Sequence, residues 1–342
     1  MRLGTIEPPT SGAAETVARD GQLVVISKDG THYAPVPVDL APSFRDALEE
    51  WEATLPKLRA VASALERGSW PGTRPVEICT FRAPLPRAWG FLDGSAYLEH
   101  VRLARKARGA EPPSDVEQVP LMYQGLSDRF LGPHDRIFVA KEEQGLDFEA
   151  EVAVITGDVP QGTKAAVAEQ YIRCVLLLND FTLRNLVPPE LGRGFGFLQS
   201  KPPSSCGPFA LTLDELGGAW RDGRLHMRMV SLLNGSLFGE PSTSEMHFSF
   251  HELIAHAART RPLSAGTIIG SGTVANADRS RGHSCIAEKR AVEQIETGAP
   301  VTPYLVAGDR VEIFLSSAAS GIDLSERPFG TIMHSVSSLS NS

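Results

Sequence analysis

The chain has 342 residues, 42% of them hydrophobic, and a formal charge of −8. That length supports a sizeable core, in one large domain plus a small one, and an acidic chain with no basic patch excludes a nucleic-acid partner. No apolar run reaches the ~18 residues of a membrane span and no signal-peptide core opens the chain, so no membrane partner is expected. Cys79, Cys174, Cys206 and Cys285 form neither a CxxC nor a Cys/His cluster. They read as reduced thiols of a cytoplasmic protein.

Residues 1–75 read as a small α+β domain. Gln22–Ser27 is a strand, and Lys28-Asp29-Gly30 a hairpin turn. A helix covers 43–67: Ser43 can cap it, and Phe44, Leu48, Trp51, Leu55, Leu58, Val61 and Leu65 keep helical spacing. Gly68, Pro71, Gly72 and Pro75 mark a linker. The second domain then spans 76–334, and residues 335–342 are expected to be a disordered tail.

A Pro-rich extended segment, 81–94, leads to a helix over 96–107 that Asp93 can cap. Asp93, Tyr97 and His100 would then lie at i, i+4 and i+7 near one face; taken locally, capping plus a surface histidine is the favoured explanation. Next, 147–155 reads as a strand with Phe148, Ala150, Val152 and Val154 on one side and Glu149, Glu151, Ala153 and Ile155 on the other. Both faces turn apolar, so the strand enters a core covered on both sides. Two carboxylates roughly 7 Å apart on one side of such a strand repel each other and resist desolvation. A divalent cation resolves both problems; so does a strand end whose glutamates face water. A helix near 163–171 precedes a buried strand, Cys174–Asn179, that ends at Asp180. A strand-helix-strand unit can lay the two strands side by side, which would group three acids at neighbouring strand ends.

The Gly192/Gly194/Gly196 pattern is GxGxG and lacks the flanking strand and helix of a dinucleotide site; its interest is Lys201, carried beside an acidic region. Residues 226–250 alternate as a β meander with a turn at Asn234-Gly235. His251 and His256 are spaced HExxxH, which sets them about 140° apart on a helix, so they cannot share a zinc as HExxH does. Residues 263–274 read as a buried strand entering a Gly-Thr turn. Val311–Leu315 and Gly330–Ile332 read as closing strands. There is no GxSxG nucleophile elbow.

Taken together, Asp93…His100, Glu149-x-Glu151 within Leu146–Ala153, Leu178-Asn179-Asp180-Phe181-Thr182-Leu183-Arg184, Ser200-Lys201-Pro202 and Ser271-Gly272-Thr273 resemble the fumarylacetoacetate hydrolase family over about residues 80–334. Residues 1–70 resemble the small accessory domain that precedes the catalytic domain in one bacterial branch. The resemblance implies an α+β, mostly β fold: a mixed β-sandwich roll with flanking helices, usually a homodimer. It implies Asp93, Glu149, Glu151 and Asp180 as ligands of Mg²⁺ or Ca²⁺, with Mn²⁺ a further candidate. It pairs His100, as general base, with Glu288, adds Lys201 to the catalytic group, and lines the substrate pocket with Tyr123, Arg184 and Thr273. The activity it implies is hydrolysis of a carbon–carbon bond in a small anionic β-diketo acid, through activated water and a metal-stabilised enolate. Oxaloacetate decarboxylation, or hydration or isomerisation of a 2-keto-4-enoate, would use the same metal site. Two positions depart from the fumarylacetoacetases proper: Ser95 replaces a substrate-binding tyrosine and Val187 a glutamine.

Overall fold

The computed structural model describes residues 1–8, 19–107, 109, 111–317 and 327–339. Short apolar runs form the strands, in chain order: β1 (Arg2–Ile6), β2 (Gln22–Ile26), β3 (His32–Pro35), β4 (Arg74–Pro75), β5 (Gly90–Gly94), β6 (Met122–Gln124), β7 (Ile137–Val139), β8 (Leu146–Asp147), β9 (Ala150–Thr156), β10 (Ile172–Asn179), β11 (Thr182–Leu183), β12 (Ser205–Cys206), β13 (Phe209–Leu211), β14 (Trp220–Arg221), β15 (Arg224–Leu225), β16 (Arg228–Leu233), β17 (Ser236–Gly239), β18 (Thr267–Gly270), β19 (Arg310–Ser316) and β20 (Thr331–Ser338). The helices are α1 (Phe44–Glu49), α2 (Trp51–Glu66), α3 (Leu98–Lys106), α4 (Val187–Arg193), α5 (Leu213–Leu216), α6 (Phe250–Ala257) and α7 (Ile286–Thr297).

The large sheet runs β4-β3-β2-β1-β13-β10-β9-β18-β5-β6, with β12 also paired to β10; a second sheet runs β17-β16-β19-β20-β7. Pairing is antiparallel except for β5 with β18 and β7 with β20. The result is the α+β, strand-rich architecture expected. β9 is buried along its whole length, because its alternation feeds two cores. Val152 and Val154 pack with Met229, Ile313 and Leu315 of the second sheet. Ala153 and Ile155 pack with Leu48, Leu58 and Val61 of α1 and α2. The strands of residues 1–75 therefore extend the sheet that carries β9, and their helices cover its other face. Among the described residues no helix is long and apolar enough to cross a membrane.

Several local expectations change. The helix over 43–67 is two helices, broken at Glu50, whose backbone (φ −113°, ψ 36°) is not helical. The 163–171 helix is a 3₁₀ segment, Ala165–Tyr171. Glu149 precedes β9 rather than lying within it; it bridges Cys285. Ser335–Ser338, expected in the disordered tail, belong to β20, where Ile332, His334 and Val336 alternate inward; residues 340–342 lie outside the described residues. The expected hairpin at Asn234-Gly235 is present, with both residues at positive φ.

Candidate active site

Register brings three acids together. In the β9–β10 ladder Leu178 faces Glu151, so the next turn of chain sets Asp180 beside Glu149 and Glu151, with its N–H bonded to the Glu149 carbonyl. On the other side of β9, β18 and then β5 follow, and Asp93 of β5 pairs with Gly270 of β18. Asp93 is thus a strand residue and not a helix cap: α3 starts only at Leu98, and an Asp93 oxygen accepts the Gly272 N–H at 3.1 Å. Gly272 must be glycine: its φ is +76°, and a Cβ there would lie 2.2 Å from the Gly94 carbonyl.

One oxygen from each of Asp93, Glu151 and Asp180 falls within 4.8 Å of the others, and all three residues are buried. Neither Glu151 oxygen receives an N–H or O–H among the described residues. Burial, then the neighbouring Asp180 charge, pushes the Asp93 carboxyl up to about 8. Burial and then the Asp93 and Asp180 charges hold Glu151 well above the ordinary carboxylate range. A buried carboxylate group with unfilled oxygens, destabilised by like charge, fits a hard divalent cation.

Glu149 behaves differently. It pairs with Arg184 through one oxygen and with Lys201 through the other, at 3.1 Å. Burial opposes its charge, but Arg184 and then Lys201 outweigh that and bring it down to about 2. Of the four carboxylates expected as ligands, Asp93, Glu151 and Asp180 converge, and Glu149 lies beside them with both its oxygens on cations. The Lys201 ammonium also donates to Asp180 at 2.6 Å and Thr182 at 2.7 Å. Asp180 accepts further from Tyr123 and from Ser204.

His100 and Glu288, 188 positions apart, meet: Nδ1 lies 2.7 Å from a Glu288 oxygen. Burial would raise Glu288, but its hydrogen bonds from His100 and His283 win and keep it below its ordinary value. A carboxylate partner at Nδ1 fixes the tautomer with the lone pair on Nε2. Glu288 lies in the first turn of α7, where the helix dipole also favours negative charge. Asp147 anchors that turn by accepting from the N–H groups of Ile286 and Ala287 at 2.8 and 2.9 Å, and it pairs with Arg184 at 2.8 Å.

A cleft of about 600 Å³ opens over these groups; Asp93, His100, Tyr123, Arg184, Lys201 and Thr273 all contribute to its wall. The Thr273 hydroxyl is buried with no partner among the described residues. Ser95 and Val187 line the same cleft, so both departures from the fumarylacetoacetases fall where a substrate would sit. Sequence reasoning missed Asp147, Ser204 and His283. Asp147 flanks a motif, yet nothing local pairs it with Ile286 and Ala287, 139 and 140 positions away, and the five-residue spacing from His283 to Glu288 carries no signal of its own.

Residues 90–336 match the family described as fumarylacetoacetate (FAA) hydrolase C-terminal, and residues 1–87 match fumarylacetoacetase N-terminal domain 2. The chain is similar to the mitochondrial oxaloacetate tautomerase FAHD2B of Bos taurus, 28% identical over 232 residues, covering 66% of this chain and 67% of that protein. Its fold is similar to maleylpyruvate hydrolase from Sphingobium sp. SYK-6 in complex with manganese(II) and pyruvate, with TM-score 0.64, 18% identity, and 99% and 100% of the two chains covered. It is also similar to 5-carboxymethyl-2-hydroxymuconate delta-isomerase from Mycobacterium smegmatis, with TM-score 0.59, 17% identity, and 100% of both chains covered. With the C-terminal family model spanning most of its length, the chain belongs to the fumarylacetoacetate hydrolase family.

Proposed function

We propose that this protein is a divalent-metal-dependent hydrolase that cleaves a carbon–carbon bond in a β-diketo acid of the acylpyruvate, fumarylpyruvate or fumarylacetoacetate type. The observation that carries this reading is His100, which lines the cleft together with Asp93 and is held at Nδ1 by the buried Glu288. Asp93, Glu149, Glu151 and Asp180 would hold Mg²⁺, Ca²⁺ or Mn²⁺, with the Lys201 ammonium sharing oxygens of Glu149 and Asp180. When bound, the ion supplies Lewis acidity toward a chelating dicarbonyl and offsets developing negative charge.

The chain's own residues do the rest. Glu288 accepts the Nδ1–H of His100, and Nε2 takes a proton from the attacking water. The hydroxide adds to the carbonyl, the tetrahedral oxyanion collapses as the carbon–carbon bond breaks, and the same imidazole returns its proton to the departing carbon. The overall reaction adds one water and yields a ketone and a carboxylic acid that ionises by releasing a proton to solvent. Lys201 holds Glu149 and Asp180 in place and adds positive charge near the developing oxyanion. The unpartnered Thr273 hydroxyl is available to the substrate. The working form we propose is a cytoplasmic homodimer; sedimentation velocity checks the dimer.

A second reading, tautomerisation, isomerisation or decarboxylation of a 2-keto acid such as oxaloacetate, is favoured by the sequence similarity to oxaloacetate tautomerases. A base and a cation suffice for proton transfer without water addition. The deciding experiment offers acetylpyruvate, fumarylpyruvate, fumarylacetoacetate and oxaloacetate to the Mg²⁺- or Mn²⁺-loaded protein and identifies products. Formation of a free carboxylate plus pyruvate or acetoacetate, abolished in His100→Asn with metal binding retained, is the expected result. Turnover of oxaloacetate alone, or hydrolysis unaffected by His100→Asn, overturns it.

A further inference from the structure

The cations at the inner end of the cleft are already engaged. An ammonium has three donors, and those of Lys201 go to Glu149, Asp180 and Thr182. Arg184 faces Asp147 and Glu149. Around these two cations, Asp93, Asp147, Glu149, Glu151, Asp180 and Glu288 are all buried, so acids outnumber positive charges even with a divalent ion added. A second anionic group on a substrate must find its partner further out.

The wall formed by α7 offers one. Ala287, Arg290, Ala291 and Gln294 all line the cleft, at i, i+3, i+4 and i+7 of the helix. The alanines leave space, and Arg290 supplies charge. Its guanidinium lies over the Tyr304 ring, 4.4 Å from the centroid, and donates to the Thr302 carbonyl. Those two contacts fix its plane, and it has no carboxylate partner among the described residues. A planar guanidinium held this way retains donors suited to an incoming carboxylate. Arg105, also in the wall, has among the described residues an exposed bond to the Glu111 carbonyl.

We propose that Arg290 receives a distal carboxylate of the substrate, making this cleft selective for diacids over monoacids. The inference rests on the hydrolase reading for the substrate's orientation, with the reacting carbonyl at the acid cluster and the distal group toward α7. Its test does not require turnover. Calorimetry on the Mn²⁺-loaded protein compares fumarate with crotonate, which replaces the distal carboxylate by a methyl group. The wild type is expected to bind fumarate at least tenfold tighter, and Arg290→Gln to lose that preference while keeping the wild-type melting temperature. If fumarylpyruvate and acetylpyruvate are turned over, the ratio of their kcat/KM values should fall by about 10- to 100-fold in Arg290→Gln, the range of one charge-assisted hydrogen-bonding pair. Equal binding of fumarate and crotonate by the wild type, or an unchanged preference in Arg290→Gln, overturns the proposal. So does a preference lost in Arg105→Gln but not in Arg290→Gln. Failure of the hydrolase reading shows separately, as discrimination in binding without cleavage.

Discussion

At the residue scale the site depends on how closely the acids approach. Gly270 is the tightest point: a Cβ there would lie 2.2 Å from an Asp93 oxygen and 3.2 Å from a Glu151 oxygen. Gly270→Ala should therefore push Asp93 out of the group and weaken divalent-ion binding by about 10- to 100-fold, as changes just behind a ligand do. Calorimetric titration with Mn²⁺ reads this directly, and unchanged affinity would remove Asp93 from the ligand set. The same acids set a pH dependence. The folded-state value of Asp93, about 8, lies above the ordinary carboxylate value near 3.9. The folded metal-free chain thus keeps a proton that the unfolded chain has lost. For this group stability is fullest below about pH 4 and declines as pH rises toward 8. Melting temperatures of the metal-free protein should fall across that window, with part of the fall cancelled by saturating Mn²⁺, whose binding releases protons.

Among the elements, α7 and its anchor matter most. Its first turn carries Glu288, its next turn Arg290, and Asp147 ties its open N–H groups to Arg184. Asp147→Ala leaves two backbone donors without their carboxylate and the half-buried Arg184 guanidinium with Glu149 alone. The expected loss is about 3–5 kcal/mol, the range for removing one partner of a buried ion pair; urea unfolding measures it. Asp147 touches none of the reacting groups in the proposed mechanism, so any fall in turnover beyond the unfolded fraction would report displacement of Glu288 and His100. A loss under 1 kcal/mol would mean that water replaces the carboxylate easily.

On the scale of the whole molecule, residues 1–75 are joined to the rest through the sheet itself. β1 pairs with β13, and α1 and α2 cover the face of β9 and β10 opposite the second sheet. The boundary we propose near residue 75 thus separates two sequence units that share a core. Deleting residues 1–75 would bare Ala153, Ile155, Leu176 and Leu178 and leave β13 as an open edge, a surface prone to aggregation. The truncated chain should be insoluble or melt far below the full protein. A soluble, cooperatively folding 76–342 fragment with wild-type metal affinity would show the opposite.

The sequence by itself determined the strand-rich α+β class and the two-sided burial of the strand after Glu149, whereas the acids, cations and histidine of the candidate site were named through the family resemblance. Class and burial are legible because side-chain alternation and turn chemistry act over a few residues. Helix boundaries and the role of Asp93 were misread locally: a cap and a strand end look alike until it is known that β5 pairs with β18. Only the tertiary structure decided which carboxylates converge. Glu149 and Glu151 are two residues apart and chemically alike, yet one is neutralised by Arg184 and Lys201 while the other is left with unfilled oxygens beside Asp93 and Asp180. That difference comes from pairings between segments tens to hundreds of residues apart, where burial and the placement of opposite charge, rather than residue type, set what each carboxylate can bind.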